Sequence, residues 1–372
     1  DYVSFIESYH PEFAFLEQPH GERTEMYYMP QASPLPAHLT VEAWAADRAI
    51  EQLDPARDDG RPFFGFLSFV GPHPPLAPPI PYNRLFDPDQ MPSPRRGDPA
   101  IDHADEQIPW MNHLIWADDI SDQQARACRA RYLGEIAYID DCLGRVLDAL
   151  DERGDADNTI VVFFSDHGDH LGDHDAWQKE SYFEESARVP LIVRWPGTIA
   201  AGQRLRQLAT LTDLFAIATR AAGEVEPRDG HDILGCLLGE APPREDVIGL
   251  FGTPGTPLFK IMVRRGPWKL IFLSNGGREL LFHLDDDPHE SINRAESEPA
   301  VLASLRARAV EACSVPNAER ALDGGSLRAF PFRARPLQRV HQMDRSRGVI
   351  DFPRTPEEGL REWRERQAAT QS

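Results

Sequence analysis

The residues with the greatest capacity for chemistry crowd into one stretch, VVFFSDHGDHLGDHDAWQKESYFEESARVPLIVRWP, from Val161 to Pro196. A run of β-forming apolar residues ends at Asp166-His167-Gly168, and Asp169, His170, Asp173, His174, Asp175 and Lys179 follow within one short loop. Carboxylates and imidazoles packed this closely repel or titrate one another unless something holds them, and the usual holder is a metal ion or an anionic ligand. Asp166 and His167 offer a carboxylate oxygen and an imidazole nitrogen where a strand ends, a donor pair suited to Ca2+, Mg2+, Mn2+ or Zn2+. The same Asp166 could instead cap the turn that follows. Lys179 is either a solvated surface lysine or, brought back to the strand end, a partner for a tetrahedral oxyanion. His73, in GPHPP, is either a loop histidine or an acid or anion donor at a neighbouring strand end.

The elements that must position these groups are legible as alternating helices and strands. VEAWAADRAIEQLD reads as an amphipathic helix with Val41, Trp44, Ala45, Ile50 and Leu53 on one face. Phe63 to Val70 reads as a buried strand stopped by Gly71-Pro72, and a Pro-rich loop carrying His73 follows. Segment 81–125, rich in Pro and Asp, reads as a long surface excursion. ARYLGEIAYIDDCLGRVLDALDERG is a strong helix, with Leu133, Ile136, Ala137, Val146 and Leu150 at helical spacing and Gly154 at its end. NTIVVFFSD and VPLIVRWPG lack polar alternation, as parallel strands covered on both faces do. The pattern predicts an α/β fold, a mostly parallel central sheet flanked by helices, with the functional groups at the carboxyl ends of its strands.

After the helix LATLTDLFAIATRAAG the texture changes. FKIMVRRGPWKLIFLSNGGRELLFHL reads as strands joined at NGG, and PAVLASLRARAVEAC as the helix that completes a small antiparallel α+β subdomain. The expected organisation is an α/β domain over 1–243, the subdomain over 244–324 and an Arg- and Pro-rich tail over 325–372. The tail, with a helix at PEEGLREWRERQ, reads as an arm that packs on the body or on a second copy, the latter giving a homo-oligomer.

Composition narrows the function classes. With 41% hydrophobic and 27% charged residues, the 372-residue chain has the makeup of a globular protein. A net charge of −21 argues against nucleic acid as a partner, because phosphate binding draws on Lys and Arg. Cys128, Cys142, Cys236 and Cys313 form no CxxC pair and read as free thiols. No apolar run approaches the length of a membrane span. The chain begins at Asp1 without Met or a signal-like segment, so its compartment, cytoplasmic or exported, is left open.

Together the motifs resemble the sulfatase family of the alkaline phosphatase superfamily. SDHGDHLGDHDAWQKESYFEESARVPLIVRWPG looks like that family's second metal-and-anion motif. PLPAHLTVEAWAADRAIEQL, RPFFGFLSFVGPHPP, RYLGEIAYIDDCLGRVLDAL, MVRRGPWKLI and ELLFHLDDDPHESINRA look like further family blocks in family order. The resemblance implies an alkaline phosphatase-like fold, with Asp166 and His167 as ligands of one divalent metal, Ca2+ before Mn2+, Mg2+ or Zn2+. It implies that Lys179 binds the sulfate or phosphate oxygens, that His73 contacts the ester and assists the leaving group, and that His174 lies near the substrate. The family's Asp-Asp metal pair, its Cys/Ser-x-Pro-Ser-Arg box with the formylglycine nucleophile, and its Gly-Lys-x-His-x-Gly motif have no match here. The expectation is a chain lacking an amino-terminal segment and inactive by itself. Its parent would be a sulfuric ester hydrolase acting on small-molecule or glycan sulfate esters. The alternatives are a phosphonate monoester or phosphodiester hydrolase of the same superfamily, or a non-catalytic relic that binds anions.

Overall fold

A computed structural model describes residues 2–10, 28–58, 62–224, 229–337, 361 and 365. The chain divides into two compact units, one formed by 1–94, 112–156 and 337–372, the other by 95–111 and 157–336.

The first unit is built on two helices, Val41–Asp58 and Asp122–Glu152, that pack on each other. The second starts at a capping box, in which the Ser121 hydroxyl and the Gln124 side chain each take up the other residue's backbone N–H. Gly154, at φ +72°, ends it in the left-handed conformation that glycine adopts without strain. Its buried stripe runs through Cys128, Arg131, Gly134, Tyr138 and Cys142, whereas Ile136, placed on the inward face by the sequence, is 41% exposed. Small residues make the close contacts: Ala43 and Ala46 are buried in the facing helix, and the larger Val41, Trp44 and Ile50 are only half-buried. Residues 63–70, expected as a buried strand, lie outside every strand, with Phe64 77% exposed. An apolar run becomes a strand where neighbouring chain takes up its backbone groups, and apolarity alone does not name that neighbour.

The second unit contains the sheets. Strands β1 (Val161–Phe164) and β2 (Leu191–Arg194) pair with each other antiparallel, not parallel as expected, with Val162 opposite Val193. Val162, Val193 and Trp195 pack over Ile217, Ile233 and Leu234, while Phe163 and Ile192 point the other way and are exposed. Strands β3 (Asp246–Phe251), β4 (Lys260–Arg265), β5 (Trp268–Leu273) and β6 (Arg278–His283) form an antiparallel meander in that order. Gly276 and Gly277, both at positive φ, make the NGG turn between β5 and β6.

Period-two alternation sorts this meander into two cores. Ile261, Val263, Leu270, Phe272 and Leu281 face the helix Pro299–Cys313 through Leu302, Leu305, Ala309 and Cys313. Met262, Ile271, Leu273, Leu280 and Phe282 face Ile101, Ala104, Ile108, Ala176 and Phe183. Burial on both faces, rather than parallel pairing, therefore removes polar alternation here. Ile101, Ala104 and Ile108 belong to the segment expected as a surface excursion. They are buried because the second face of the sheet needs a cover.

The described part of the arm, as far as Pro336, packs on this unit: the Arg278 guanidinium lies over the Phe332 ring and that of Arg335 over Trp110. The helix expected at PEEGLREWRERQ falls outside the described residues except Arg361 and Glu365, which are helical. All four cysteines are free, three of them buried. Among the described residues no helix is long and apolar enough to cross a membrane.

Candidate active site

The loop from Asp166 to Lys179 leaves β1 and returns toward β2, and it is anchored from below by the meander. Lys269 of β5, 1% exposed, places its ammonium 2.9 Å from carboxylate oxygens of both Glu184 and Glu290. Lys260 of β4 donates to the Glu180 carbonyl at 2.6 Å and pairs with Asp105. Glu290 in turn accepts from the Glu184 backbone N–H at 2.6 Å. Two buried lysines thus hold the chain just past Lys179, each matched by carboxylates as burial of charge demands.

The crowded acids and histidines separate into two groups. Most hold one another or the segment 95–103. Asp173 accepts from the Arg95 backbone N–H at 2.6 Å, and Asp175 pairs with Arg96 at 3.2 Å and His103 at 3.0 Å. Asp169 accepts from the Leu171 N–H at 2.9 Å, an Asx turn. His170 is 2% exposed and shares a 2.7 Å hydrogen bond with the Ser181 hydroxyl; burial pushes its pKa down to about 4. His174 is 5% exposed, with Nδ1 2.9 Å from Asp102 and Nε2 3.5 Å from Glu185. Burial works against its charge, but the carboxylates of Asp102 and Glu185 outweigh that and raise its pKa to about 9.

Asp166 and His167 form the other group. The Asp166 side chain is 79% exposed and that of His167 31%. His167 Nδ1 lies 2.8 Å from the Gly168 carbonyl and donates to it, so that in the neutral ring the lone pair is on Nε2, 3.4 Å from an Asp166 carboxylate oxygen. Two donors at about 2.2 Å from one ion and at right angles are about 3.1 Å apart, so this oxygen and nitrogen fit the coordination sphere of a single divalent cation. The Asp166–His167 pair supplies two ligands. The one group of three or more potential ligands among the described residues is His174, Glu185 and Glu290.

The two ends of the loop meet at Ser186. Gly168 donates its N–H to the Ser186 carbonyl at 2.8 Å, and the Ser186 hydroxyl donates to the Lys179 carbonyl. Gly168 is required there, since a Cβ would lie 2.0 Å from the Glu185 carbonyl oxygen. Asp166, His167, His174 and Lys179 all lie in this one loop closed at Ser186, with Lys179 half-buried. His174, expected near the substrate, has both ring nitrogens against buried carboxylates. His73 belongs to the first unit, half-buried, with Nδ1 2.7 Å from the Pro74 carbonyl. Its loop is clamped on either side: Glu42 accepts from the Gly71 N–H and Glu135 from the Ala77 N–H, each at 3.3 Å. Burial, with Glu42 adding, pushes the Glu135 carboxyl well above the usual range.

Sequence reasoning missed Asp102 and Glu185. Glu185 stands inside a quoted motif without a local feature to mark it, and Asp102 reaches the loop only through the fold.

The sulfatase family model matches residues 21–224, more than half of the chain. A multifunctional alkaline phosphatase superfamily protein of Trinickia caryophylli is 30% identical over 80% of this chain and 63% of its own length. An arylsulfatase of Clostridium perfringens is 31% identical over 68% of this chain and 53% of its own, and a choline-sulfatase of Rhizobium meliloti 32% over 68% and 51%. The chain thus spans between 51% and 63% of these curated relatives. The phosphonate monoester hydrolase structure of Agrobacterium radiobacter superposes with a TM-score of 0.70 and 28% identity, covering 82% of this chain and 69% of that one. The fold is the α/β architecture of these hydrolases, and the chain belongs to the sulfatase family.

Proposed function

We propose that this chain carries half of the active site of a metal-dependent sulfuric ester hydrolase. One observation supports this most: Asp166 and His167 are adjacent, with donor atoms 3.4 Å apart at single-ion spacing and the Asp166 side chain 79% exposed. The other acids and histidines of the loop serve as scaffold. Asp166 Oδ2 and His167 Nε2 would hold the ion, Ca2+ first by resemblance. When bound, the ion supplies a Lewis acid that stabilises negative charge on the transferred group. Lys179 neutralises oxygens of the sulfuryl group, and by resemblance to the family His73 would donate the proton to the departing ester oxygen. The formylglycine nucleophile is expected outside these residues.

A second reading has its own support. The match to a phosphonate monoester hydrolase structure favours a phosphonate monoester or phosphodiester as substrate. A tetrahedral phosphoryl group makes the same demands on an ion and a lysine as a sulfuryl group does.

The test is to read the coding sequence upstream of Asp1 and assay the protein it encodes. The proposal expects an in-frame Cys- or Ser-x-Pro-Ser-Arg box, and turnover of an aryl sulfate or aryl phosphonate ester that Asp166→Ala abolishes. The chain from Asp1 alone is expected to be silent. Ester turnover by that chain alone, unaffected by Asp166→Ala, would contradict the assignment.

A further inference from the structure

The functional reading leaves unused the most heavily invested group of the loop, the buried His174. Its Nδ1 and Nε2 both face carboxylates, Asp102 at 2.9 Å and Glu185 at 3.5 Å, and its ring stacks on Phe183 with centroids 3.9 Å apart and planes within 10°. A neutral imidazole has one donor and one acceptor nitrogen. Between two acceptor-only carboxylates, only the imidazolium satisfies both sides. The residue itself is held at φ +57°, with its N–H donated to the Arg95 carbonyl at 2.8 Å.

What this cation grips is the segment on which the functional loop hangs. Glu185 and Ser186 lie against Gly168, the neighbour of His167, and Ser186 also holds the Lys179 carbonyl. We propose that His174 is a positioning residue: a buried imidazolium that fixes the Glu185–Ser186 segment, and through it the placement of Asp166–His167 relative to Lys179. The proposal rests on the reading of those three residues as the ion- and anion-binding groups.

A divalent cation shared by His174, Glu185 and Glu290 is the competing use of the same side chains. The geometry disfavours it, because the Lys269 ammonium already lies 2.9 Å from Glu290 and His174 Nδ1 is hydrogen-bonded to Asp102 at 2.9 Å, with Nε2 3.5 Å from Glu185. The charged and titratable groups around the clasp are Asp102, Glu185, Glu290, Glu184 and Lys269, with His170 on its own loop and His289 3.9 Å from Glu185. The raised pKa of His174 keeps the cation in place at neutral pH.

The experiment follows amide hydrogen exchange at Gly168 in the wild-type chain, in His174→Gln, and in the double variant His174→Gln/Glu185→Gln. In His174→Gln the Gly168 amide should lose protection by about tenfold or more while Val263 and Leu270 in the meander change by less than about twofold. Removing the stranded carboxylate in the double variant should restore part of the loss. In the wild type, protection of Gly168 corrected for intrinsic exchange should fall as pH rises through about 9, and this dependence should vanish in His174→Gln. Unchanged Gly168 protection, or an equal loss across the meander, would overturn the proposal. So would a gain in protection on adding Mn2+ that requires His174. Should His174→Gln not fold, Asp102→Asn and the wild-type pH series decide by the same criteria. Exchange is read without any bound ion, so a failure of the ion-binding reading shows separately, in Asp166→Ala.

Discussion

Asp166-His167 and Asp173-His174 are the same dipeptide seven residues apart in one loop, and the fold treats them in opposite ways. In the first pair the Asp166 side chain is exposed and that of His167 half-buried, and their donor atoms face each other across 3.4 Å. In the second, Asp173 caps the Arg95 N–H and His174 is sealed between Asp102 and Glu185. Residue type sets what chemistry is available, and burial with its partners decides which pair can offer donor atoms to a ligand. The more exposed pair is the one to which a ligand can be added at lower cost, whereas the buried pair would have to give up a buried ion pair first.

The comparison can be broken most forcefully at the buried pair. His174→Ala leaves Asp102 and Glu185 facing each other without a cation and should cost about 3–5 kcal/mol of stability in a denaturant melt. A loss below about 1 kcal/mol would show that the clasp carries little weight.

The pH dependence sharpens the same contrast. The folded pKa of His174 lies above its ordinary value, so its stabilisation is complete below about pH 6.5 and is lost as pH rises toward 9, by about 3 kcal/mol in all. For His170 the folded pKa lies below the ordinary value, so stability is lost as pH falls from about 6.5 to 4. Unfolding free energies measured over this range should therefore peak near pH 6.5, and His174→Gln should flatten chiefly the alkaline limb.

At the exposed pair the expectation reverses. Asp166→Ala should weaken Mn2+ binding by at least about tenfold, yet shift stability by no more than about 0.5 kcal/mol. Calorimetry and a melt on the same sample check both halves. Smaller still is the effect of Phe64→Ser in the first unit, where a 77% exposed ring should change stability by under about 0.5 kcal/mol. A larger loss there would mean that the ring is covered in solution.

How much of this was legible in the sequence follows the physics of each element. The meander and its helix were readable because period-two and period-3.6 patterns are local, and NGG leaves few turn options. The capping box at Ser121 was present in the letters S-D-Q-Q, but the helix was placed to start later, at Ala130. The antiparallel direction of β1 and β2 is not legible, since continuous apolarity reports cover on two faces and not strand direction. Asp166 and His167 were legible as a donor pair. The role of His174 was not, because Asp102 lies 72 residues away and inside a segment that looked like surface. No local pattern encodes a partner at that distance.

The most direct test of the division between exposed donors and buried scaffold is a Mn2+ titration of the chain with 13C-labelled histidine. The account predicts that the His167 resonance broadens first, that Asp166→Ala abolishes this, and that the His174 signal keeps the shift of an imidazolium throughout. Broadening that begins at His174 and survives Asp166→Ala would place the ion in the buried cluster and contradict it.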